Sequence, residues 1–207
     1  MKKPKIRELR EAVRSLFSKP YTTRFPMEEI IVPEGFRGKP QFYEEGCVGC
    51  TACAQVCPSK AIEVEENLDP ANPTRRLTHI PAYCINCQEC ERNCITGQGI
   101  KLTKQFDVSY FSENEVNHSI EHQIILCSHC GGIVGAKKHI LWVMKRLGSL
   151  SFSQADYIEH IQKSLDIPAI IPVKHEKHEK IERDEIFNIT CPKCRRAVYI
   201  EDEKIHF

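Results

Sequence analysis

Almost no net charge is left on this 207-residue sequence, because 29 Lys and Arg face 28 Asp and Glu. That balance removes any global electrostatic reason to bind nucleic acid or an anionic membrane. Long apolar runs are absent too: none approaches the roughly 18 residues that a spanning helix needs. Residues 1–15 lack the apolar centre of a signal peptide, so a cytosolic protein, docked peripherally at a membrane at most, is expected. No G-x-G-x-x-G opens a helix and no G-x-x-x-x-G-K-[ST] occurs, which leaves nucleotide or flavin binding without support. Nor does a Ser/His/Asp arrangement announce itself. With 41% hydrophobic and 8% aromatic residues, the length allows one or two modest domains and excludes a large catalytic barrel.

What the sequence has in excess is cysteine, 12 in all. In a reducing cytosol disulfides are rare, and these cysteines fall into regular clusters rather than the scattered frame of a secreted mini-protein, so metal ligation is expected. Eight of them form an internal repeat. Cys47, Cys50, Cys53 and Cys57, followed by Ala61-Ile62-Glu63-Val64, are echoed by Cys84, Cys87, Cys90 and Cys94, followed by Gly99-Ile100-Lys101-Leu102. The echo is one residue longer after its last cysteine. Each half reads as a cysteine loop, a helical turn and a brief strand, with a turn at residues 69–73 between the halves and the two copies pairing face to face.

Four thiolates at spacing x2, x2, x3 suit a cubane, because three cysteines on one tight loop cap three irons of one face and the fourth points away. In ferredoxins that carry this run twice, the fourth cysteine ligates the other cluster. Applied to this sequence, that known rule assigns Cys47, Cys50, Cys53 and Cys94 to cluster 1, and Cys84, Cys87, Cys90 and Cys57 to cluster 2, so that ligation staples the halves together. Gly49, Ala52 and Ala54 let the backbone approach the inorganic sulfides, where N–H donors stabilise negative charge. Pro58 closes the first set and excludes water; the second has Ile95 in that place. The competing reading of the octet, two zinc sites, uses a spacing rare among zinc knuckles.

The remaining cysteines form two C-x2-C pairs, Cys127 with Cys130 and Cys191 with Cys194. Each resembles a zinc knuckle, and two such turns complete a tetrahedron around Zn²⁺. Mononuclear iron in the same four thiolates is an alternative. A redox pair is another, less favoured because neither pair opens the helix of a βαβ unit. His129 lies inside its knuckle, where a fifth ligand is redundant, and reads as structural or exposed.

Around these motifs the chain divides at residues 1–40, 41–110 and 111–207. Residues 1–24 carry eight basic and two acidic residues, with Ile6, Leu9, Val13, Leu16 and Phe17 on one helical face. Pro20 and Pro26 end that basic amphipathic helix, and residues 25–40 read as an extended docking linker. Residues 25–126 hold fifteen acidic and eight basic residues, an asymmetry that suggests separate contact faces or simply a solvated surface. Further on, Ser112 with Glu115 could open a short helix. Residues 136–147 form a helix that Gly148 terminates, and Ser153 with Asp156 opens another with Ile158, Ile161 and Leu165 facing the core. Pro168 and Pro172 interrupt it. Residues 175–180 look like a solvated connector, adventitious metal binding by His175 and His178 being the weaker alternative. The fold class is α+β: a bacterial two-[4Fe-4S] ferredoxin-like domain with an N-terminal amphipathic helix and a C-terminal helical, zinc-ribbon-like extension.

The residues now resemble a known family, the iron–sulfur subunit of formate hydrogenlyase and related membrane-associated group 4 nickel–iron hydrogenases, itself similar to the two-cluster subunit of NADH:quinone oxidoreductase. The resemblance covers Phe25-Pro26-Met27-Glu28, Gly35-Phe36-Arg37-Gly38-Lys39-Pro40, both halves of the octet and both late cysteine pairs. The octet alone is widespread; the F-R-G-K-P lead-in with the trailing pairs is what resembles the hydrogenlyase branch. The resemblance implies a non-catalytic electron-transfer subunit. It would relay electrons between a low-potential donor such as a formate dehydrogenase subunit and the small and large subunits of a hydrogenase, peripheral on the cytoplasmic face of the membrane beside membrane-arm subunits. The equivalent subunit of an NADH- or ferredoxin:quinone oxidoreductase is the second reading. Ile95, where the family usually has proline, and the added residue before Ile100 depart from the pattern; they bear on the environment of cluster 2 and leave its ligands unchanged. A zinc-ribbon nucleic-acid binder is the reading from another class. Thirteen basic against eleven acidic residues in 127–207 are too balanced for a phosphate-tracking groove, so no nucleic-acid partner is expected.

Overall fold

The computed structural model describes residues 5–112, 117–153, 157–158 and 189–205. It has two compact units, residues 1–36 and 37–207. The expected helix starts at Ser112–Glu115 and Ser153–Asp156, the positions of Ile161, Leu165, Pro168 and Pro172, and the connector at 175–180 lie wholly or partly outside the described residues. Ile158 is described and is exposed rather than core-facing.

In the first unit the helix α1 spans Ile6–Phe17. Its start is held by the Glu8 carboxylate, which accepts the Lys5 backbone N–H at 3.2 Å. It stops well short of residue 24: Ser18 is already extended, two residues ahead of Pro20. The stripe Ile6, Leu9, Val13, Leu16 and Phe17 is exposed along its whole length.

The second unit begins with β1 (Pro40–Phe42). The two cysteine loops carry the one-turn helices α2 (Ala52–Gln55) and α3 (Glu89–Arg92), each followed by a strand: β2 (Ile62–Asn67) after the first and β4 (Ile100–Leu102) after the second. β1 pairs antiparallel with β4, Phe42 opposite Ile100. β2 turns through residues 68–73 into β3 (Thr74–His79), and that turn is built as expected, with the Asn67 and Asp69 side chains accepting the Asp69 and Ala71 N–H groups at 3.1 and 3.0 Å.

The repeat is written into the backbone as well as the cysteines. Gly49, Thr51 and Lys60 all take positive φ, and so do Asn86, Gln88 and Gly97, each 37 residues further on, the same interval that separates Cys47 from Cys84. Thr51 and Gln88 are the residues from which α2 and α3 spring. Each loop must turn through these strained positions to aim its sulfurs inward, a cost that a bound group can offset. The core they enclose is small: Phe42, Ile62, Leu77 and Ile100 are buried together with the sulfurs of Cys47, Cys53 and Cys90.

Two strands beyond the repeat were not foreseen. β5 (His118–Leu126) pairs antiparallel with β3, and β6 (Ile133–Ala136) with β5, giving a four-stranded sheet in the order β2-β3-β5-β6. The sheet therefore crosses residue 110 without a break. Helix α4 (Lys137–Leu147) follows, and Gly148 ends it at φ +56°, donating its N–H to the Met144 carbonyl, as expected for that glycine. A last helix, α5 (Pro192–Ile205), starts inside the second C-x2-C pair. Its cause is Pro192, whose fixed φ and missing N–H suit the first helical position.

Gly46 joins the two halves: a Cβ there would run into the carbonyl of Gln98 on the way into β4. Gly46→Ala should therefore destabilise the folded protein by roughly 1–3 kcal/mol. Gly35→Ala, where a Cβ would meet nothing within 4 Å, should change stability by less than about 0.5 kcal/mol. Denaturation midpoints of the two variants measure the difference.

Candidate metal centres

The structure brings the octet together in two groups of four. Cys47, Cys50 and Cys53 from the first loop and Cys94 from the second line one small cavity, walled by Phe42, Leu77, Ile95 and Ile100. Cys84, Cys87 and Cys90 with Cys57 line another, walled by Pro40, Ala61, Ile62 and Ile85. The local cause of this exchange is the pair of short helices. Cys53 lies within α2 and Cys90 within α3, while Cys57 and Cys94 come just after each helix has ended, on its far side.

The surroundings of the fourth cysteines also repeat. Ser59 lies 3.6 Å from the Cys57 sulfur and Thr96 lies 3.3 Å from that of Cys94. The Ala61 backbone N–H donates to Cys57 Sγ at 3.2 Å. Thr96 does more than its counterpart: its hydroxyl donates to the Gly46 carbonyl at 2.8 Å and accepts the Gly99 N–H at 3.1 Å, tying the second loop to the first. This explains why Cys94 is lowered where Cys47, Cys53, Cys84 and Cys90 are raised. Burial raises it, and the Thr96 side chain with the backbone at Gly99, Thr96 and Ile100 outweighs that.

For those four burial prevails. It pushes Cys53 up to about 12, with the neighbouring thiols adding to it, and Cys90 up to about 11. Thiols at such values stay protonated in neutral solution, and crowding them in an apolar pocket is unfavourable unless a cation draws off the protons. The donor set therefore fits a polymetallic cluster: soft sulfurs, an apolar wall, and backbone N–H groups aimed at sulfur. A buried side chain points the same way. His79 on β3 is 1% exposed and lines the second cavity, yet neither ring nitrogen has a hydrogen-bond partner among the described residues. Burial, then Lys39 and His118, lower it to about 4, so its imidazole is neutral.

Near the first cavity, two residues that the sequence analysis passed over take part. His122 on β5 is 3% exposed, and its Nε2 lies 3.2 Å from Cys47 Sγ. Burial, then Lys138, lower its affinity for a proton. The signal for it was legible: His118, Ile120, His122, Ile124 and Leu126 alternate as one face of a strand. Directly opposite in register, Arg75 on β3 keeps a nearly buried guanidinium. Its Nη2 pairs with Glu66 at 2.6 Å, and its Nη1 donates to the Gly49 carbonyl at 2.9 Å. The cation holds the cysteine loop by its backbone.

The last four cysteines converge on one point. The sulfurs of Cys127, Cys130, Cys191 and Cys194 all lie within 4.8 Å of one another, and Cys130 and Cys191 are 3.6 Å apart. A tetrahedral ion with metal–sulfur bonds of about 2.3 Å needs sulfur–sulfur edges of about 3.8 Å, so the set fits one ion. Cys127 and Cys130 occupy the turn between β5 and β6, and Cys191 and Cys194 open α5. Ser128 joins the two segments, donating both its N–H and its hydroxyl to the Ile189 carbonyl at 2.9 Å. The second pair does open a helix, but the described residues place no strand before it, and its sulfurs face two others. Burial pushes Cys194 up, while Cys191 is held down to about 7 because hydrogen bonds from the Cys194 and Lys193 backbone and from Cys130 and Cys194 outweigh its burial. Three of the four are buried and Cys130 is exposed. His129, half-buried, is outside the set.

Residues 46–98 match the family described as "4Fe-4S dicluster domain". Over 177 residues, 84% of this chain and 81% of the relative, the sequence is 27% identical to formate hydrogenlyase subunit 6 of Escherichia coli. It is 28% identical over 103 residues to NAD(P)H-quinone oxidoreductase subunit I of Gloeobacter violaceus, covering 48% of this chain and 49% of that one. The chain thus spans about half the length of that relative. A chain of the membrane-bound sulfane sulfur reductase, an archaeal respiratory membrane complex, is similar at 27% identity over 56% of this chain and 61% of that chain, with a TM-score of 0.39. This chain therefore carries a 4Fe-4S ferredoxin-like domain, and formate hydrogenlyase subunit 6 and NADH-quinone oxidoreductase subunit I, both ferredoxin-like iron–sulfur subunits, are its homologues.

Proposed function

We propose that this chain is the electron-transfer subunit of a membrane-associated hydrogenase or formate hydrogenlyase complex, carrying two [4Fe-4S] clusters and one Zn²⁺. Cluster 1 is held by Cys47, Cys50, Cys53 and Cys94, cluster 2 by Cys84, Cys87, Cys90 and Cys57, and zinc by Cys127, Cys130, Cys191 and Cys194. The observation that carries the reading is the pair of four-thiol cavities, each taking three sulfurs from one loop and one from the other. A bound cubane supplies one-electron transfer. The chain supplies ligands, an apolar wall between the clusters and solvent, and N–H donors on sulfur.

The hydrogenlyase branch is favoured by extent. The similarity to formate hydrogenlyase subunit 6 runs over 84% of this chain, that to the quinone oxidoreductase subunit over 48%. The second reading, a quinone-linked complex, keeps its support from those quinone oxidoreductase relatives. In either, residues 1–40 are a docking segment, 41–110 the two-cluster domain, and 111–207 an extension that shares a sheet with it. No helix among the described residues is long and apolar enough to cross a membrane. The basic α1 with its exposed apolar stripe suits docking on a partner at the cytoplasmic face. The donor is a formate dehydrogenase or another low-potential subunit, and the acceptor a nickel–iron hydrogenase subunit.

Anaerobically purified protein should contain about eight irons and about eight acid-labile sulfides per chain, plus one zinc, and show two paramagnetic centres on reduction. Metal with no labile sulfide would refute the assignment. Crossed ligation makes a sharper prediction: Cys57→Ser should abolish the same signal that Cys84→Ser abolishes, and Cys94→Ser the one lost in Cys47→Ser. Loss of the Cys47 signal in Cys57→Ser would overturn the pairing. Purification with a nickel-containing subunit supports the hydrogenase branch, and quinone reductase activity of the purified complex the other.

Removing zinc with a chelator should loosen the β5–β6 turn and α5 while leaving both cluster signals in place. Protease cleavage near residues 127–133, read by mass spectrometry, follows the first effect and paramagnetic resonance the second.

A further inference from the structure

Both cluster cavities are flanked by the four-stranded sheet, and each meets one deeply buried histidine on it. These are His122 of β5 at the first cavity and His79 of β3 at the second. The His122 Nε2 contact to Cys47 Sγ is 3.2 Å, short for a nitrogen–sulfur hydrogen bond, and Nδ1 of the same ring is buried without a partner among the described residues. A metal-bound thiolate has no proton to give. The proton in that contact therefore belongs to the imidazole, which fixes the Nε2–H tautomer and leaves the bare Nδ1 lone pair as the unpaired atom. Placement leaves the ring little choice: a Cβ on Gly49 would meet its Cδ2 at 2.9 Å and the Ala136 methyl at 3.1 Å, so glycine at 49 is what lets the imidazole lie against the cysteine loop.

His79 has the complementary problem. Its ring carries an N–H with no acceptor among the described residues, in a site 1% exposed. Leaving a buried donor unmade costs about 1–3 kcal/mol. The ring itself lines the cavity walled by Cys57, Cys84, Cys87 and Cys90, where bound sulfur would accept that N–H.

We propose that His122 and His79 are potential-setting donors, one to each cluster, and that β5 and β3 exist in part to hold them there. The inference rests on the two-cluster reading above. An N–H aimed at cluster sulfur stabilises the extra negative charge of the reduced state, so each imidazole raises the potential of its own cluster. His122 donates to a ligand sulfur of cluster 1 and His79 into the cavity of cluster 2. The effect is local, because a neutral dipole falls off faster with distance than a charge.

The test is a redox titration followed by paramagnetic resonance on the full chain, purified without air, with iron and sulfide counted for every sample. His122→Leu, fully loaded, should lower the midpoint of cluster 1 alone, making it about ten-fold less reduced at a fixed ambient potential, which is about 59 mV for one electron. His79→Leu should do the same to cluster 2 alone. His122→Gln, which keeps an N–H on a side chain of similar reach, should recover part of the shift. Two loaded clusters with unmoved midpoints overturn the proposal, as do equal shifts of both clusters in either variant. So does a His122→Gln shift as large as that of His122→Leu. Should a leucine variant fail to load, wild-type protein labelled with ¹⁵N-histidine decides. Pulsed resonance of the reduced state should detect a histidine nitrogen coupled to each cluster, and no such coupling at either overturns the inference. Missing iron, sulfide or signals in the wild type would refute the two-cluster reading instead.

Discussion

Sulfur occupies the place in this molecule that leucine and isoleucine fill elsewhere, and the rest of the fold is arranged around the cost of putting it there. Burial, with the neighbouring thiols adding to it, pushes Cys53 to about 12 and Cys90 to about 11, and those thiols are buried beside Phe42, Ile62, Leu77 and Ile100. Metal bonds to converging thiolates add to what such apolar contacts supply, as they do in small metal-dependent domains. The three positive-φ residues in each loop are acceptable under the same condition: they are unfavourable in the free chain and useful only if the sulfurs they aim have something to bind.

Crossing the fourth cysteine turns a local motif into a tertiary constraint. Had each loop closed on its own sulfurs, the halves could separate at little cost. Instead Cys57 belongs with the second loop and Cys94 with the first. Around that exchange the protein adds neutral and charged ties: Thr96 to Gly46, Arg75 to Gly49, and Glu91 accepting the Leu102 N–H at 3.0 Å. None is a surface ion pair of the kind that contributes little.

What could be read from the residues follows the range of the interactions. The cysteine interval, the turn at 69–73, the helix ended by Gly148 and the C-x2-C pairs are local signals, and each is where the sequence analysis put it. β6, four residues long with Gly135 inside it, pairs with β5 across the Cys127–Cys130 turn and was passed over beside the helix that follows. β5 alternates legibly from His118 to Leu126, but its other partner, β3, lies some forty residues earlier, and nothing local marks the two as neighbours. The same gap hid His122 and His79. Read singly, a histidine among isoleucines is a core residue with a satisfied nitrogen. Only the folded sheet shows one nitrogen resting on the Cys47 sulfur and another ring with no hydrogen-bond partner among the described residues. Arg75 was passed over for a related reason: in sequence it is one basic residue of a hairpin, whereas in the fold it is nearly buried beneath a cysteine loop.

β5 links the two kinds of metal site. It carries His122 in its middle and runs into Cys127 one residue past its end, with β6 returning from the same knuckle to bring Ala136 beneath Gly49. An ion in the four-cysteine site would therefore clamp the open end of a ribbon whose middle rests on Cys47. Lys138, at the start of α4 directly after β6, continues the ribbon: it donates to the Glu44 carbonyl at 3.2 Å and lowers the Cys47 proton affinity that burial raises. Each cation on this side is met by a carboxylate, Arg75 by Glu66 and Lys138 by Glu44, so the two act as ties that position the first cysteine loop rather than as uncompensated charge. Four cysteines remote from the octet in sequence then have a structural consequence for it: they meet at the end of the strand that holds His122 against Cys47.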